Sequence, residues 1–140
     1  MPLPPEKVKY LPRRRPFEKA EEEARRALTE LLGIPLTKEK LLIFGKRKEF
    51  DLVNIKARVV GDVKRYTTKN PTAEMKEISE YVWLMEKLEA STKWKWRKII
   101  VGAGERSIFE KYVRNYDAWL GDVEIFFLNS KRKLHKLRGD

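Results

Sequence analysis

Two aspartates and a lysine break an otherwise apolar stretch, FDLVNIKARVVGDVKRY over residues 50–66, and they are this chain's strongest candidates for reactive groups. Val, Ile, Phe and Tyr fill the stretch, so it predicts two strands, 50–55 and 59–66, joined by a polar turn at Lys56-Ala57-Arg58. Residues two apart share one face of a strand, which projects Asp62 and Lys64 together. With an even-numbered turn, antiparallel pairing sets Asp51 opposite Lys64 and Val53 opposite Asp62. Charged groups inside an apolar hairpin are costly unless paired or given a task. Two carboxylates and a lysine converging there could hold a hard divalent cation and orient a water beside it. The alternative is a surface hairpin carrying an ordinary ion pair.

Composition narrows the chemistry. The chain has no cysteine and one histidine, His135, so neither a thiolate nor a multi-histidine metal site can form within it. Any metal must then be held by oxygen, which favours Mg²⁺ or Mn²⁺. A net charge of +11 on 140 residues points to a polyanionic partner, most simply nucleic acid. No run is long enough for a membrane span, and the opening MPLPPEKVKY lacks the apolar segment of a secretion signal. Those features predict a cytoplasmic protein with no membrane partner. Many Lys and Glu residues, without Gln or Cys, fit a thermophile's composition.

Residues 1–16 hold five of the seven prolines and Arg13-Arg14-Arg15, and read as an extended basic arm or a solvated tail. A helix over 17–32 is closed by Gly33, with an apolar stripe of Phe17, Ala20, Ala24, Ala27, Leu28 and Leu31. Glu21 lies on that stripe and Glu22 is its nearest rival. A carboxylate turned toward a sheet calls for a shared cation, unless it lies at the stripe's edge and reaches water. A strand over 41–44 and a basic turn, Lys46-Arg47-Lys48, lead into the hairpin. Gly61 leaves room for a bulge or for another backbone to come close.

Asn70 and Pro71 open a helix to about residue 90, with Met75, Ile78, Val82, Met85 and Leu88 facing the core and Tyr81 and Trp83 flanking them. Trp94 and Trp96 alternate with cations before a strand over 99–101, either as core tryptophans or as a grip for single-stranded nucleic acid; we favour the core. Ser107 and Glu110 form a capping box opening an aromatic helix to about 120, and a strand over 123–128 follows. The order is α-β-β-β-α-β-α-β, a mixed sheet flanked by helices, in one domain over 17–130 with a basic tail over 131–140.

At Asp51 and Asp62-Val63-Lys64 the chain resembles the PD-(D/E)xK nuclease superfamily, the restriction-endonuclease-like fold. Phe50 stands where the family's name has proline. The resemblance implies a metal-dependent endonuclease acting on DNA rather than RNA, with Glu21, Asp51, Asp62 and the Val63 carbonyl as ligands of Mg²⁺ or Mn²⁺. Lys64 would orient the attacking water and stabilise charge on the phosphate. Arg13, Arg14, Arg15, Lys46, Arg47, Lys48, Arg65 and Lys69 are the candidate phosphate contacts. In size and layout the chain is similar to the small, basic, structure-specific members, the archaeal Holliday-junction resolvases, which cut two strands as homodimers. The helix over 107–120 and the Trp83 region are the candidate dimer faces. The other reading keeps fold and charge without catalysis, as a nucleic-acid-binding protein.

Overall fold

The computed structural model describes residues 16–67 and 72–139, so Arg13, Arg14, Arg15, Lys69, Asn70 and Pro71 lie outside the described residues. Helix α1 is Pro16–Leu32, followed by strands β1 (Thr37–Ile43), β2 (Lys46–Asn54) and β3 (Val59–Tyr66). Then come helix α2 (Thr72–Thr92), strand β4 (Arg97–Gly104), helix α3 (Arg106–Tyr116), a 3₁₀ turn at Asp117–Trp119, and strands β5 (Glu124–Leu128) and β6 (Leu134–Arg138). The six strands form one mixed sheet in sequence order. Pairing is antiparallel from β1 to β3, parallel for β3–β4 and β4–β5, and antiparallel again for β5–β6.

The helices divide the core between the two faces of the sheet. Ala24 and Leu28 of α1 pack with Leu52, Val59, Val63, Ile99 and Val101. On the other face α2 and α3 bring Ile78, Met85, Phe109 and Tyr112 against Val60, Ile100, Ile125 and Phe127. Alternate residues of β3 and β4 thus serve opposite layers, as expected of strands covered on both sides. Phe17 and Leu31 remain exposed, so the apolar stripe of α1 is narrower than its sequence pattern. No described helix is long and apolar enough to cross a membrane.

Several sequence expectations need correction. Lys46, Arg47 and Lys48 begin β2; the turn lies before them, at Phe44 and Gly45, both at positive φ. The basic tail over 131–140 is not separate from the domain, because Leu134–Arg138 pairs with β5. Asn129 starts that return by accepting the Lys131 and Lys133 amides on Oδ1, a side-chain turn that needs only one residue. The ordered domain therefore runs past residue 130. The Ser107/Glu110 box does not form: Glu105 is the N-cap, and the Ser107 hydroxyl donates to Glu105 instead. Trp94 and Trp96 precede β4 as expected, but only Trp96 joins the core; Trp94 stays partly exposed beneath Arg58.

Candidate active site

The geometry of β2 creates the site. Thr37 pairs with Val53 and Glu39 with Phe50, so two steps along β1 span three along β2. The extra residue is a β-bulge at Asp51 and Leu52, a device that re-aims side chains. It breaks the alternation of the strand: Phe50 and Val53 join one core layer and Leu52 the other. A four-residue turn, 55–58, closed by the Arg58 amide donating to Ile55 O, sets the β2–β3 register at Asn54↔Val59, Val53↔Val60 and Leu52↔Gly61.

Continuing that register places Asp51 abreast of Asp62, and not opposite Lys64 as the sequence suggested. The backbone pairing of β2 with β3 ends at Leu52↔Gly61, and the two carboxylates take over from there. Asp51 N–H donates to Asp62 Oδ1 at 3.2 Å, and Val63 N–H donates to Asp51 Oδ2 at 3.0 Å. Gly61 is needed at this point because a Cβ would lie 2.5 Å from the Ile99 carbonyl oxygen of β4. The expected close approach is thus to β4, while the bulge sits across the hairpin on β2.

Asp62 and Lys64 do project together. Lys64 Nζ is 2.7 Å from Asp62 Oδ2, 3.6 Å from Glu77 Oε1 and 3.6 Å from the centre of the Tyr81 ring. Tyr81 is itself propped edge-on by Phe50. An ammonium over an aromatic face is attracted by its π-electrons, the more so when both are desolvated.

Glu21 arrives from α1 on the opposite side. It is 6% exposed, so the carboxylate on the apolar stripe is indeed buried. Arg25, one helical turn on, donates to Glu21 Oε1 at 2.9 Å and reaches the Asp51 carbonyl with Nε and Nη2 at 3.2 Å. Lys38 of β1 sits between the acids, with Nζ 3.0 Å from Glu21 Oε1, 3.5 Å from Glu49 Oε1 and 3.9 Å from Asp51 Oδ1.

Burial disfavours the ionised form of both aspartates. Burial pushes Asp62 up to about 8, and the neighbouring Asp51 adds to the rise against the pull of Lys64. Asp51 is raised too, chiefly by burial, although the Val63 amide opposes it. The hydrogen bond to Glu21 raises Lys38.

Glu21 and Asp51 fit a hard metal ion: both are oxygen donors, and a cation, the Lys38 ammonium, already lies between them. Asp62 fits less freely, since one oxygen accepts the Asp51 amide and the other pairs with Lys64. Among the described residues no group of three or more acidic or histidine side chains stands ready to grip an ion.

The candidate phosphate contacts are scattered. Lys46, Arg47 and Lys48 are exposed on the outer half of the β1–β2 hairpin. Arg65 follows the site directly and lines a groove of about 770 Å³ with Lys19, Arg106 and Arg132. Trp83 and Trp119 are 54% and 77% exposed.

Sequence reading missed Lys38, Arg25 and the role of Tyr81. Arg25 was detectable, because a cation four residues after Glu21 shares its helix face. Lys38 was not, since it precedes the strand expected over 41–44 and only the bulge sets it beside Asp51. Comparison with protein-family models, curated proteins and solved structures finds no match for this chain.

Proposed function

We propose that the chain is a metal-dependent nuclease that hydrolyses phosphodiester bonds in DNA, on a fold of the restriction-endonuclease type. One observation carries the reading: Asp51, Asp62 and Lys64 meet in a single buried site where the β2–β3 ladder ends. An ordinary surface ion pair needs neither a bulge nor three buried charged groups. Strand order, with two parallel crossovers after an antiparallel hairpin, supports the same reading.

Glu21 and Asp51 would hold Mg²⁺ or Mn²⁺, with Asp62 and the Val63 carbonyl completing the set. Such an ion supplies Lewis acidity and a lowered pKa for its bound water. Arg25 fixes the Asp51 backbone and the Glu21 carboxylate, so both ligands are oriented in advance. Lys64, locked by Asp62 and Tyr81, opposes the negative charge that grows on the phosphate. The net charge of +11 draws in the DNA backbone. Matched cuts in two strands would need two copies of this site, hence a homodimer.

A second reading, a binding protein that does not cut, is favoured by two features: both Asp62 oxygens are engaged, and Lys38 sits among the acids. Incubation with branched, single-stranded and duplex DNA in Mg²⁺, Mn²⁺ or EDTA separates the two. Metal-dependent cleavage supports the nuclease; DNA bound at low salt but left intact under every condition supports the binder.

A further inference from the structure

We propose that Lys38 is the site's exchangeable counter-ion, an ammonium that holds Glu21 and Asp51 together without metal and is displaced when a divalent cation binds. The proposal rests on the metal-dependent reading above and concerns a residue that reading does not use.

Lys38 is placed at the acids by the register of β1. Thr37 and Glu39 pair with Val53 and Phe50, so Lys38 is the β1 residue that faces the bulge carrying Asp51. From there its Nζ meets three carboxylates from two elements: Glu21 of α1, and Glu49 and Asp51 of β2. Without it, the buried Glu21 and Asp51 would share, among the described residues, Arg25 alone, which bonds the carboxylate of one and the backbone of the other.

Lys38 is also free to leave. The site's two lysines differ sharply: the Lys64 side chain is 7% exposed and packed over Tyr81, whereas Lys38 is 43% exposed on an edge strand. A flexible four-carbon stem lets Lys38 swing into water at small cost, and its charge is then rehydrated. An open groove of about 440 Å³, lined by Glu18, Glu21, Glu22, Arg25 and Lys38, lies beside it. A doubly charged hard ion satisfies the same oxygens better than one ammonium. Lys64 thus stays as part of the machinery, while Lys38 gives way.

The test uses the full chain and the metal alone. Mn²⁺ affinity is measured by calorimetry for wild type and Lys38→Met, and the melting temperature of each is recorded in EDTA. A Mg²⁺ titration of ¹⁵N-lysine-labelled wild type follows the Lys38 and Lys64 ammonium signals. We expect Lys38→Met to bind Mn²⁺ about fivefold tighter, the scale of one partly exposed ion pair, and to melt lower without metal. Saturating Mg²⁺ should move the Lys38 signal to the free-lysine position and leave Lys64 near its own. Equal or weaker Mn²⁺ binding by Lys38→Met, where wild type binds, overturns the proposal and leaves the metal site standing. So does a Lys38 signal that stays put at saturation. Binding by neither protein overturns the proposal and the metal-dependent reading together. If Lys38→Met does not fold, the wild-type titration decides.

Discussion

Asp51 and Asp62 sit abreast on β2 and β3, and the Asp51 amide donates to Asp62 Oδ1 at 3.2 Å where the backbone ladder has ended. Each aspartate is therefore part of the backbone's hydrogen bonding as well as a source of charge, and substitutions must separate the two roles.

Asp62→Asn does so. Asparagine keeps an oxygen for the Asp51 amide but cannot ionise beside Lys64 or serve as a carboxylate ligand of the proposed metal. Cleavage should be abolished while DNA affinity changes little, as measured by gel cleavage and fluorescence anisotropy. A variant that cuts at the wild-type rate would exclude Asp62 from the metal set.

Lys64→Met tests the charge over Tyr81. Methionine retains most of the stem, so the fold should persist, and cleavage should fall about 100- to 1000-fold, the scale seen when a transition-state charge partner is lost. DNA binding in EDTA should hold, because this lysine is buried in the free protein.

Glu21→Gln and Glu22→Gln separate the helix acids. Glu21 is buried between Arg25 and Lys38. Mn²⁺ affinity should fall about tenfold or more in Glu21→Gln, in line with losses at metal sites, and stay near wild type in Glu22→Gln. The reverse pattern in calorimetry would transfer the role to Glu22.

Gly61→Ala should destabilise the fold by about 1–3 kcal/mol, the usual cost of overpacking. The added methyl meets the Ile99 carbonyl oxygen at 2.5 Å, a backbone atom that cannot rotate away. Urea unfolding monitored by tryptophan fluorescence measures this, and an unchanged midpoint would mean that β3 and β4 can separate without penalty.

A second ionic cluster gives a pH test away from the site. Lys98, buried on β4, pairs with Glu89 and Asp122, and Lys95 also reaches Asp122. Burial opposes ionisation of Asp122, but hydrogen bonds from Lys95 and Lys98 prevail and hold it down at about 2. A depressed carboxylate adds stability above its unfolded pKa of about 4 and loses it as pH falls through the folded value. Asp122→Asn should cost about 1 kcal/mol at pH 7, given its half-exposed setting, and the gap to wild type should close between pH 4 and 2. Thermal melts across that range check the sign.

How much of this was legible in the sequence depended on how local the signal was. Apolar periodicity and turn residues located the helices and most strands, and β3 came out with its bounds intact, because those patterns act over a few residues. Spacing also determined that Asp62 and Lys64 share a face; helical pitch set Glu21 on the apolar stripe but left open whether it reached water, and the fold buried it. Composition alone required oxygen ligands for any metal.

The tertiary structure decided what depends on partners distant in the chain. A bulge exists only relative to β1, so the sequence of β2 could not show that Asp51 would be re-aimed or that Lys38 would lie against it. The Asp51–Asp62 register followed from a four-residue turn, and a one-residue change there moves every side chain to the other face. β6 carries little apolar signal of its own and becomes a strand because β5 offers it an edge. The candidate site groups were named by their types; their contacts were set by strand pairing across the sheet.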